Sequence, residues 1–89
     1  MIKNGAQPTF WLSCQLDKGM FSDEAAVTYP SVEDCRASVF VPIDEVQGEF
    51  GTRGKVRVSL VQHDGTTFAV LPTVYRDIVA INKSDVVEE

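Results

Sequence analysis

The chain has 89 residues, 44% of them apolar and 24% charged, with 13 acidic against 8 basic side chains and a formal net charge of −5. That length makes one domain with a thin core and excludes a substrate cleft between two domains. The acidity disfavours DNA, RNA and anionic membranes as partners, and the supply of Val, Leu, Ile and Phe excludes disorder across the whole chain.

Residues 1–8 are polar, contain Gly5 and Pro8, and read as a flexible N-terminal arm ahead of a single domain at 9–87. A first strand is expected from Thr9 to Leu16. Phe10, Leu12, Cys14 and Leu16 alternate with Trp11, Ser13 and Gln15, so the first set faces the core. Trp11 falls on the outer face, and if uncovered it is a candidate anchor for a partner.

Asp17-Lys18-Gly19 forms a turn. Met20 and Phe21 follow and are expected to plug one end of the core. A strand follows at Ala25–Tyr29, stopped by Pro30. Ser31–Arg36 is polar and reads as a turn or one helical turn capped by Ser31. Ala37–Val41 is a firm strand, with Ala37, Val39 and Val41 inward and Ser38 and Phe40 outward. Residues 43–46 read as an irregular edge after Pro42. Gly48, Gly51 and Gly54 mark a flexible loop over 47–54.

The strongest local signal lies between Lys55 and Pro72. Two β-rich runs flank Asp64-Gly65, the composition of a tight hairpin. Val56, Val58 and Leu60 face in; Lys55, Arg57 and Ser59 face out. On the return strand Phe68 and Val70 are expected inward and Thr67 and Ala69 outward. A four-residue turn of Gln62–Gly65, or a tighter Asp64-Gly65 turn, shifts the register by one and exchanges those faces. Pro72 ends the arm, 73–77 is a short excursion carrying Tyr75 and Arg76, and Ile78–Ile81 is the last clear strand. Residues 82–87 read as a turn and a helical turn capped by Asn82 or Ser84, with Val86 or Val87 closing the core. Glu88 and Glu89 form an acidic tail.

These elements predict an all-β protein: a small antiparallel barrel of five or six strands with a short C-terminal helical turn. Closure suits the length because it removes exposed sheet edges. The late hairpin, the further strand and the terminal turn resemble the layout of an SH3-like barrel over roughly residues 37–87. An OB-like barrel is the alternative.

Chemistry has few places to reside. His63 is the sole histidine and neighbours Asp64, yet adjacent residues on a tight turn rarely converge on one substrate. Cys14 and Cys35 lie in apolar surroundings outside any Cys-x-x-Cys motif and read as free buried thiols. The carboxylate pairs Asp23-Glu24, Glu33-Asp34 and Asp44-Glu45 lack calcium-loop spacing, and one histidine with two distant cysteines does not build a zinc site. No catalytic residue, metal or cofactor is expected. Gly48, Gly51 and Gly54 lack the Lys-Ser or Lys-Thr pair of a phosphate loop. No run has the form of a signal peptide or reaches membrane-spanning length, so a cytoplasmic protein is the expectation.

The remaining candidates are binding residues. Trp11 and Phe40 are expected outward and, with Tyr75, could meet a protein partner or a second copy of the chain. Arg53, Lys55 and Arg57 form a basic stripe that could hold single-stranded nucleic acid or another anion. The leading expectation is a non-enzymatic protein-interaction or accessory module.

Overall fold

The computed structural model describes residues 9–30, 32 and 37–88. Among the described residues there are eight strands: β1 Phe10–Lys18, β2 Glu24–Tyr29, β3 Ala37–Pro42, β4 Val46–Gln47, β5 Arg53–His63, β6 Thr66–Val70, β7 Ile78–Ile81 and β8 Val86–Glu88. Their order is β3-β2-β1-β5-β6-β7, with β4 added to β5 and β8 added to β1. Every pairing is antiparallel, and the sheet curls into a half-barrel. Among the described residues no ladder joins β3 to β7. One backbone hydrogen bond crosses that gap, from the Val32 N–H to the Ala80 carbonyl at 3.0 Å.

Strand β1 is the axis of the sheet. One of its edges takes β5, from Phe10 opposite Val58 to Gln15 opposite Arg53. Its N-terminal half also pairs with β8, and its C-terminal half with β2. The expected alternation holds: Leu12, Cys14 and Leu16 are buried and meet Val27, Val41, Val56, Val58, Ala69, Leu71 and Ile81 in the core. Each fully buried leucine contributes roughly 1.5–3 kcal/mol through removal of apolar surface from water. On β3 the inward set is Ala37, Val39 and Val41, as the pattern implied.

The return arm of the hairpin corrects one expectation. His63 pairs with Thr66, leaving a two-residue turn with Asp64 at φ 52° and Gly65 at φ 78°. Both residues take the left-handed region, which favours the Asp-Gly pair. The tight turn sets Ala69 and Thr67 on the buried face and leaves Phe68 and Val70 half-buried on the other. One residue of turn length therefore exchanged the faces.

Other corrections are local. Met20 and Phe21 do not plug the core; they are 76% and 68% exposed. Their backbone amides donate to the Glu24 carboxylate at 2.9 and 3.2 Å, which holds the turn with both side chains outward. Residues 43–45 form a 3₁₀ turn before β4. The glycine loop is tied to β1: the Leu16 N–H donates to the Thr52 carbonyl at 3.0 Å and the Gly51 N–H donates to the Leu16 carbonyl at 2.7 Å. Lys83–Asp85 is a 3₁₀ turn whose first cap, Asn82, makes no side-chain hydrogen bond. Val86 packs on the core, whereas Val87 is exposed. Glu88 ends β8 opposite Phe10 and is not a free tail residue. The expectations for residues 1–8, Ser31, Glu33–Arg36 and Glu89 lie outside the described residues.

Cys14 is a core residue and a free thiol. Burial pushes it from the ordinary 9.0 up to about 11, opposed in part by the charge of Arg53. The unfolded chain therefore loses this proton first as pH rises. The stability that the neutral buried thiol contributes is complete below about pH 9 and declines as pH rises through the folded value of about 11. We expect the urea midpoint of the native protein to fall over that window more steeply than that of Cys14→Ala. Equal pH profiles for the two proteins refute the assignment.

Candidate interaction surface

The six candidate residues separate into two groups. Trp11, Lys55 and Arg57 come together on the face of the sheet opposite the core. Trp11 lies directly across from Arg57, and Ser13 across from Lys55. The Lys55 ammonium sits 5.2 Å and the Arg57 guanidinium 5.4 Å from the centre of the indole ring. Such cation–ring contacts are worth roughly 0.5–2 kcal/mol, depending on exposure. Trp11 is only 3% exposed, so it is no anchor for a partner. Its Nε1 is buried without a hydrogen-bond partner.

That arrangement also takes up the basic stripe. Lys55 and Arg57 lie against the indole, and Arg57 also reaches Glu45, its Nε 3.9 Å from a carboxylate oxygen. Two of the three cations contact the indole, and no basic stripe is evident for nucleic acid. Arg53, opposite Gln15, remains exposed on the same face.

Phe40 and Tyr75 belong to a different place. Phe40, 48% exposed, borders a cleft of about 330 Å³ together with Val41, Pro42, Pro72, Thr73 and Val74. Tyr75 follows Val74 at the tip of the loop between β6 and β7. Val74 is 92% and Tyr75 88% exposed. The loop is braced from within. The Leu71 N–H donates to the Asp77 carbonyl at 2.8 Å. The Thr73 hydroxyl donates to the Asp77 carboxylate at 2.8 Å and accepts from the Asp77 N–H at 3.0 Å. Large apolar side chains are thus held in water on an ordered loop.

A second cavity of about 500 Å³ adjoins the first, sharing Pro42, Pro72 and Thr73. Its wall includes Arg57, Arg76 and Glu45. Val74, Thr73 and Arg76 were not singled out as site residues from sequence; the only signal was an apolar pair followed by arginine in a short loop after proline. Met20, Phe21 and Phe50 form another exposed apolar group around a hollow of about 290 Å³.

His63 pairs with its neighbour, Nε2 3.2 Å from the Asp64 carboxylate, on an exposed hairpin tip. Cys14 is in the core. Among the described residues no group of three or more His, Cys, Asp or Glu side chains is placed to hold a metal ion. The glycine loop turns the amides of Gly51 and Thr52 to internal carbonyls, leaving neither for a phosphate. Among the described residues no helix is long and apolar enough to cross a membrane.

The fold and surface define a small antiparallel β domain. No family model, curated protein or solved structure matches the chain.

Proposed function

We propose that the protein is a non-enzymatic protein-interaction module, and that its contact surface is Phe40 with the braced loop carrying Val74 and Tyr75. The observation that carries this reading is the exposure of Val74 and Tyr75 on a loop ordered by its own hydrogen bonds. An apolar pair held in water without forming core is disfavoured unless a partner covers it. Aromatic and arginine side chains are also the usual centres of interfaces. The SH3-like layout over 37–87 is part of the same proposal, supported by the β5–β6 hairpin, β7 and the 3₁₀ turn before β8. The OB-like alternative lacks its helix among the described residues.

A photoreactive phenylalanine analogue tests the surface when placed at Tyr75 and, as a control, at His63 on the equally exposed hairpin tip. In extract of the native host we expect a discrete cross-linked species from position 75 that position 63 does not give. A Phe40→Asp change should abolish it. A product at twice the chain mass identifies a second copy as the occupant. Equal products from the two positions, or none from 75, overturn the reading.

A further inference from the structure

The two adjoining cavities differ in chemistry. The larger is lined by two basic residues, Arg57 and Arg76, by Thr9, Ser59 and Thr73, and by one acidic residue, Glu45. On a protein with 13 acidic and 8 basic residues, that is a local excess of positive charge. The smaller cavity is lined by Phe40, Val41 and Val74 together with the acidic residues Asp23 and Glu24.

The Arg57 side chain and the Arg76 backbone are both held in place. The Arg57 guanidinium lies against the Trp11 ring at 5.4 Å and near Glu45 at 3.9 Å. Arg76 has φ 53°, a left-handed conformation that costs a non-glycine residue free energy. Its N–H donates to the Thr73 carbonyl at 3.0 Å, within the loop that Thr73 and Asp77 brace. Unlike Asp64, it does not serve a hairpin turn. Glycine would satisfy that backbone better, so the arginine at this place is explained by its side chain.

We propose that Arg57 and Arg76 bind the C-terminal carboxylate of a partner peptide whose last side chain is apolar and enters the cleft beside Phe40 and Val74. Arginine is suited to a planar carboxylate through paired N–H donors. A terminal residue carries its carboxylate and side chain on one Cα, so both reach cavities that share a wall. An internal acidic residue in an extended peptide turns its apolar neighbours to the opposite face. Asp23 and Glu24 disfavour a polyanion across the same two cavities. This assignment rests on the interaction reading of the loop and names the partner's chemistry.

Amide-resolved NMR titration of the full chain tests it with three probes: N-acetyl-Leu-Phe as free acid, its C-terminal amide, and inorganic phosphate. The free acid is expected to shift the Ser59, Thr73, Val74 and Arg76 amides, and the amide to bind about tenfold more weakly or worse. Phosphate at equal concentration should leave Val74 unmoved. Arg76→Gly suits the backbone, so it should keep the native spectrum and thermal midpoint while weakening the free acid about tenfold. Arg76→Lys should restore part of the loss. Equal binding of acid and amide, phosphate shifting the whole set, or full affinity in Arg76→Gly each overturn the proposal. If the acid is silent while cross-linking from position 75 persists, the carboxylate assignment alone falls. If both fail, the interaction reading falls with it.

Discussion

Trp11→Ala is expected to cost about 3–5 kcal/mol, whereas Trp11→Phe should cost less than about 1.5 kcal/mol. The two changes separate the ring from its nitrogen. The ring is buried on the side of β1 away from the core and underlies both Lys55 and Arg57. Alanine removes that support and leaves a void beneath two cations. Phenylalanine keeps a π face for them and deletes the Nε1 that is buried without a partner. An unsatisfied buried donor costs roughly 1–3 kcal/mol, so its removal offsets much of the lost ring area. Urea unfolding measures both changes. The residue is the chain's only tryptophan, so its fluorescence reports the native environment directly. Emission should be blue-shifted and protected from acrylamide in the native state. Water-like emission, or a phenylalanine variant as damaged as alanine, contradicts this account.

The same residue shows where sequence reading stops. Alternation along β1 placed Trp11 on the correct face, because period-two patterning reports direction. It does not report what covers that face. Lys55 and Arg57 were legible as outward cations, but long basic side chains can lie along an apolar surface as well as project from it. The inner faces of β1, β3 and β5 were legible because each carries a clean apolar set. The inner face of β6 was not: both of its faces are apolar or small, so only turn length could decide. Strands β4 and β8 have two and three residues and follow 3₁₀ turns, too short for any period to register. Phe40 was legible as an outward aromatic, and Tyr75 only as a residue of a short loop. Their neighbour Arg76 was not, because its significance lies in a positive φ that no residue type announces.

Gly54→Ala should cost about 3 kcal/mol, at the upper end for an added methyl group in a packed interior. Gly54 sits near the start of β5 opposite Cys14, where β4 passes on the other side. A Cβ built there collides with the Gln47 carbonyl oxygen and with Leu16 Cδ1. The leucine is fully buried and has little room to move, and the carbonyl is backbone. Close approach, not flexibility, is thus what this glycine provides, and the sequence alone could not tell the two apart. Gly51 is the internal control. Its φ is 85°, but a Cβ there meets nothing within 4 Å. Gly51→Ala should therefore show only the conformational penalty, roughly 1 kcal/mol. Leu16→Ala opens the space that the new methyl group would need, at its own expense of about 2–5 kcal/mol. In that background Gly54→Ala should cost less, by a coupling of roughly 1 kcal/mol, while the Gln47 contact keeps it from becoming neutral. Urea unfolding of the four variants supplies the cycle. A Gly54→Ala penalty no larger than that of Gly51→Ala would show that the junction of β1, β4 and β5 yields to an added methyl group, contrary to the packing described.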